Sequence, residues 1–348
     1  MIVILFALIA SLNADAFDTT ISFPRYTFDN TTQILTWDRT KTDNVVTVDW
    51  NAAPYPFGGP DADELNVFTK QGVSVTSETL AIKDYVTIPD DTYPRYKYRT
   101  SGVFEFHTAV LAAYYGLNVV PSDYYYTECG PYEYREETET HSEDPLQINP
   151  SDKPAFVVGI NDVNCYGTIG GEIEQGEEQG LVDDHGQCRT NCVNGDPLEQ
   201  GTYGKALLTY SGDELVNDED KLKKLIAKFG PVSYFSAGMY VLYGWRTEEY
   251  SQTQFLRFGI VDEQLQFEDT IFRPMDSIRF AYSETFPEKI EAYNPVHSDP
   301  QGEQQCATDT VPTDGCFCTP ENYPPLMPIR SQKDLWEKSE IVKLSAFE

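Results

Sequence analysis

Apolar and polar positions alternate in short runs over the first fifty residues of this 348-residue chain, merge into longer apolar runs in its middle, and alternate again after residue 230. Ile34-Leu35-Thr36-Trp37 and Val45-Val46-Thr47-Val48, separated by Asp, Asn and Thr, carry the period of extended segments. Residues 51–60, Asn-Ala-Ala-Pro-Tyr-Pro-Phe-Gly-Gly-Pro, read as a loop. The run Val-Phe-Glu-Phe-His-Thr-Ala-Val-Leu-Ala-Ala-Tyr-Tyr after Gly102 predicts a mostly buried helix ended by Gly116. Residues 133–145 carry too much charge for a core and predict a solvated excursion, whereas Ala155-Phe-Val-Val158 predicts a buried strand. The clearest helix runs from Asp218 to Phe229: acids open it, lysines follow, and Leu222, Leu225, Ile226 and Phe229 line one face before Gly230-Pro231 stops it. Val232-Ser-Tyr-Phe, Phe255-Leu-Arg-Phe and Gln264-Leu-Gln-Phe alternate as strands, so the second half reads as β-rich. The Pro- and Cys-rich stretch from Asn294 to Pro328 reads as loop, and no internal repeat is visible.

The first residues change this picture, because Met1 to Leu12 form an apolar run too short to span a bilayer and Ala14-Asp15-Ala16 follows as a small-residue cleavage site. We read residues 1–16 as a signal peptide, although its start lacks Lys or Arg. No later segment has the apolar length of a membrane span, so a soluble, secreted chain or one in the lumen of an acidic secretory or lysosomal compartment is expected. Seven cysteines, at 129, 165, 188, 192, 306, 316 and 318, then imply about three disulfides with one cysteine over. Metal binding is the rival use, but Cys188-x-x-x-Cys192 and Cys316-x-Cys318 lack a second half at zinc-finger spacing. Asn30-Thr31-Thr32 is the single glycosylation sequon.

With 56 acids against 25 bases, the formal charge of −31 repels phosphate backbones and anionic membranes, which argues against nucleic-acid binding. A content of 40% hydrophobic and 13% aromatic residues is ample for a packed core. Neither a Gly-rich phosphate loop, a Gly-x-Ser-x-Gly elbow nor a His-Glu-x-x-His sequence occurs, and no cofactor or metal is expected.

The segment from Asp218 to Ser233, with its Leu-Lys-Lys-Leu helix and Gly230-Pro231-Val232-Ser233, resembles the part of papain-like cysteine peptidases that leads from a short helix into the first strand of their β-rich domain. Val48-Asp49-Trp50 is similar to the family's mature N-terminus. Pro121 to Cys129 resembles the Leu-Ser-Glu-Gln-x-Leu-Val-Asp-Cys segment after its long central helix, and Cys165 with Gly170-Gly171 resembles its Cys-Asn-Gly-Gly turn. These matches keep family order over about residues 48–262, with insertions near 51–100 and 130–164. The resemblance implies an α+β, papain-like two-lobed fold with a helical left lobe and a β-rich right lobe. It divides the chain into a leader at 17–47, a papain-like domain at 48–293 and a tail at 294–348.

In that family a Cys at the start of the central helix attacks the peptide carbonyl, a His activates it, an upstream Gln stabilises the oxyanion and an Asn orients the His. Setting Ser101-Gly102-Val103-Phe104 against the family's Gly-Ser-Cys-Trp places Val103 at the nucleophile position. A second register, through Val67-Phe-Thr-Lys-Gln71-Gly72, places Ser77 there. The His position holds Thr253 if Gly259 is the strand glycine, the Asn-Ser-Trp segment is absent, and His297 comes late. The resemblance therefore implies a homologue without catalytic residues, a pseudoenzyme that binds proteins or peptides.

Two alternatives remain: an active peptidase with an unusual site, using Ser77 or Cys165 with His107, or an unrelated acidic extracellular adhesion or coat protein. On the residues alone, His107 reads as a packing residue on an apolar helix, His141 and His185 as solvated, and the acids from Glu172 to Asp184 as a solvated face. Tyr124-Tyr-Tyr126, Tyr132 and Tyr134 read equally as packing or as a contact surface.

Overall fold

The computed structural model describes residues 19–76, 79–84, 102–131, 133–138, 146–147, 155–167, 188–212, 216–235, 239–248, 252–261, 264–275 and 277–295. The signal-like start, Ser77, His141, His185, the acids at 172–184, His297, Cys306, Cys316 and Cys318 lie outside them. In chain order the strands and α-helices are β1 (Thr20–Pro24), β2 (Thr27–Asp29), β3 (Ile34–Asp38), β4 (Val45–Asp49), β5 (Glu64–Asn66), α1 (Val103–Tyr115), α2 (Asp123–Cys129), β6 (Glu133–Glu137), β7 (Leu146–Gln147), β8 (Ile160–Asn161), α3 (Val163–Tyr166), β9 (Thr202–Tyr203), β10 (Leu208–Gly212), α4 (Glu219–Phe229), β11 (Val232–Phe235), β12 (Met239–Thr247), β13 (Thr253–Val261), β14 (Gln264–Thr270) and β15 (Ile278–Tyr282). The molecule is thus of mixed helix and sheet, and predominantly sheet.

Its largest sheet has the order β10-β15-β11-β12-β13-β14, with β5 paired to the second half of β12. All of its pairings are antiparallel. A β-bulge between Leu242 and Gly244 bends β12 where β5 joins it. Gly244 is required there, since a Cβ would sit 2.0 Å from the Leu65 carbonyl oxygen.

Consecutive residues of a strand face opposite ways, so this sheet has two distinct sides. The side carrying Phe280 packs on α4, with Phe229 stacked on Phe280 at 4.7 Å and Phe23 and Tyr210 completing the cluster. Phe23 comes from β1, which pairs with β4, so residues read as a leader contribute to the core shared with the large sheet. The cap of α4 is Asp218, whose carboxylate accepts from the amides of Asp220 and Lys221 at 2.7 and 3.2 Å. Leu222, Leu225, Ile226 and Phe229 are all fully buried. Gly230 ends the helix at φ +74°, and a side chain there would strike the Phe57 ring.

The opposite side, carrying Arg279, faces α1. This helix begins after Gly102 at φ +63° and ends at Gly116 at φ +71°, whose amide bonds back to the last turn. All thirteen of its residues are buried, the expected fate of a helix that is apolar nearly all round. The Tyr114 hydroxyl, at its far end, donates to the carbonyls of Phe229 and Ala281 at 3.0 and 2.8 Å.

Two sequence expectations are corrected. Ala155–Val157 form a 3-10 turn instead of a strand, because Gly159, at φ +84°, turns the chain before β8; Phe156 and Val158 are nevertheless buried. Residues 133–137 are a strand inside a four-stranded sheet, order β2-β3-β6-β7, running parallel to β3. Half-buried side chains on β6 explain how so charged a segment pairs: Glu136 takes an ion pair from Arg39 at 2.8 Å, and Tyr134 lies edge-on to Tyr26.

Disulfides join Cys129 to Cys188 and Cys165 to Cys192. Among the described residues no helix is long and apolar enough to cross a membrane. The sequon at Asn30 lies in the exposed turn between β2 and β3.

Candidate functional site

The start of α1 is where the sequence points, and the structure packs it shut. Val103 is 3% exposed, an aliphatic side chain with no nucleophile to offer. Two residues on, Glu105 is buried, and its Oε2 has no hydrogen-bond partner among the described residues. Burial holds its carboxyl protonated up to about pH 7.

One turn after Val103, His107 is ringed by Phe104, Phe106, Tyr126 and Phe156, the last at 5.3 Å between centroids. Burial, helped by the positive charge of Arg279, pushes its pKa down to about 3, so the imidazole is neutral and walled off. A neutral imidazole enclosed by rings has no path to a substrate proton.

The other candidates are not assembled around it. Gln71, an oxyanion donor in the second register, spends its Nε2 on the carbonyls of Tyr114 at 2.6 Å and Pro287 at 3.1 Å. That is the far end of α1, roughly 16 Å along the helix from Val103 at 1.5 Å per residue. Thr253, offered as the His position, accepts from Lys223 Nζ of α4 at 2.9 Å and so lies on the side of the sheet away from α1. Cys165, the alternative nucleophile, is consumed by its disulfide to Cys192 and is fully buried. Each of these placements was out of reach of short-motif matching, which does not encode which end of a helix or which side of a sheet a residue meets.

Sequence reasoning missed a buried polar network behind α2. Tyr166 donates to Glu128 Oε2 at 2.6 Å and accepts from the Arg189 amide at 2.9 Å, while the Arg189 guanidinium lies over the Tyr166 ring at 4.6 Å. The Cys129–Cys188 bridge holds these groups together, since each half-cystine adjoins one of them in sequence. Nearby, Asp162 caps α3 through Asn164 and is fully buried; desolvation raises its pKa to about 6. Tyr125 and Tyr126 are buried, so these two tyrosines of the Tyr-rich stretch serve packing. Among the described residues no three His, Cys, Asp or Glu side chains are grouped to hold a metal ion.

On the far side of the sheet lies an open cleft of about 180 Å³. Tyr234 of β11, Tyr240 of β12 and Arg257 of β13 form one wall, and residues 270–275 the other. The Arg257 guanidinium lies 3.9 Å from the Tyr240 ring centroid, donates to the Tyr234 hydroxyl at 2.5 Å and pairs with Glu268 at 2.9 Å.

Comparison with protein-family models, with curated proteins and with solved structures found no match to this chain.

Proposed function

We propose that the chain is a secreted, glycosylated, catalytically inactive homologue of papain-like cysteine peptidases, which acts by binding proteins or peptides. The observation that supports this reading best is the start of α1, where the residue in the nucleophile register, Val103, is aliphatic and buried and the nearby imidazole of His107 is enclosed and neutral. Three further features support it. A fully buried helix lies against both a helical region around α2 and a β-rich sheet. The helix α2, capped by Ser122, ends at Cys129 after that helix. A short helix, α4, then leads through Gly230-Pro231 into the sheet at β11. Disulfides and the sequon suit an oxidising compartment outside the cytosol.

The test is hydrolysis of a diverse peptide library by the purified chain, with and without a thiol-directed inhibitor, beside an active papain-like peptidase. We expect no cleavage above background. Inhibitor-sensitive cleavage would overturn the reading.

A further inference from the structure

The cleft on the α4 side of the sheet plays no part in the peptidase resemblance, and its chemistry is one-sided. Arg257 donates to the Tyr234 hydroxyl oxygen, so that oxygen acts as an acceptor and its own O–H is left to donate elsewhere. No acceptor for this proton occurs among the described residues. Arg257 Nε is buried without a partner among the described residues. Arg273 lines the cleft, exposed, and makes no ion pair among the described residues, in a chain with 56 acids and 25 bases. Among the described residues the carboxylate beside these donors, Glu268, is already engaged by Arg257. Donors therefore gather here without acceptors to match, between apolar walls contributed by Phe255 and Phe272.

We propose that this cleft binds a carboxylate carried on a flat apolar body, with Arg273 and the Tyr234 hydroxyl holding the carboxylate and the aromatic walls holding the body. Size supports a single ring: a dry cavity of about 150 Å³ takes up benzene, and this one holds about 180 Å³. A guanidinium presents its N–H groups as a planar fork that matches both oxygens of a carboxylate, whereas an uncharged amide of the same shape offers one acceptor oxygen and no opposite charge. The chain's overall negative charge opposes anions at a distance but is screened beyond about 8 Å at physiological salt, so the local guanidinium decides.

Isothermal titration of the purified chain with 3-phenylpropionate tests this, with 3-phenylpropanamide as the uncharged control. Saturable binding of the acid, with the amide at least about tenfold weaker, is expected. Arg273→Gln and Tyr234→Phe should each weaken the acid about tenfold; the first changes an exposed side chain and the second keeps the ring, so an unchanged thermal melt shows the fold intact. A tripeptide ending in Phe with a free carboxylate separates the sources. Tighter binding than phenylpropionate assigns the site to a polypeptide terminus, and exclusion assigns it to a free small acid. No saturable binding, equal binding of acid and amide, or full affinity in both variants overturns the proposal.

Discussion

The two sides of the large sheet treat polar groups in opposite ways. Towards α1 ionisable and polar side chains are enclosed: among the described residues the Oε2 of Glu105 and the Oγ of Ser233 have no partner, and His107 is walled in by rings. Towards α4 the apolar rings are packed together and a charged set stands at an open cleft, where Arg257 is engaged by Tyr234 and Glu268 while its Nε has no partner among the described residues. An ionisable group closed off from solvent has no path to a substrate whatever its pKa, whereas a paired guanidinium at a cleft keeps its charge and its reach. The start of α1, which family analogy picks out for the nucleophile, falls on the closed side, and accessible binding chemistry on the other.

The largest effect that would sharpen this contrast is on the α4 side. Phe229→Ala removes the ring stacked on Phe280 and tilted against Phe23; a loss of about 3–5 kcal/mol of stability in chemical denaturation is expected. A loss under about 1 kcal/mol would mean that this side is not the tightly packed one.

Next comes the α1 side, where the effect depends on pH. The Glu105 carboxyl titrates at its ordinary value of 4.5 in the unfolded chain and at about 7 in the fold. Between those values the folded state holds the extra proton, so stability is complete below pH 4.5 and falls as pH rises to 7. His107 goes the other way: it titrates at 6.5 unfolded and at about 3 folded, so stability is complete above pH 6.5 and falls as pH drops. From pH 4.5 to 6.5 the two slopes oppose each other at roughly 1.4 kcal/mol per unit each. Glu105→Gln should remove one of them, adding up to roughly 3 kcal/mol at pH 8 and almost nothing at pH 4. Denaturant midpoints of both proteins at the two pH values check this, and equal shifts at both would show that the carboxyl is not buried as a neutral acid.

Smallest is Asp218→Ala, which removes the cap of α4 and should cost about 1 kcal/mol at neutral pH. A midpoint within error of the parent would show that the tertiary packing of Phe229 and its neighbours holds the helix without its cap.

How much of this was legible in the sequence follows from the range of each interaction. The helix α4 was readable because its cap, its charge order and its apolar spacing are all local. The helix α1 was readable from its length and its bounding glycines, while the burial of Glu105 within it was not, since nothing within one turn distinguishes a buried acid from an exposed one. The strand at 133–137 is hidden in the sequence because its charge has the pattern of a solvated segment; its pairing with β3 joins residues about a hundred positions apart. The 3-10 turn at 155–157 is indistinguishable from a strand in the sequence because a short apolar run has no period of its own. Disulfide partners and the cleft, which gathers residues from Tyr234 to Met275, exist only once the strands are ordered.

The disulfides also set how the chain is connected as a covalent graph. Cys129 and Cys165 both precede residue 168, and their partners Cys188 and Cys192 both follow residue 187. Any single break in the backbone between those two positions is therefore spanned twice: one product carries β1 to β8 with α1, the other carries β9 to β15 with α4, and two cross-links still hold them as one molecule. Scission there changes the number of chain ends without changing the number of particles, and the two pieces part only when a reductant opens both bridges.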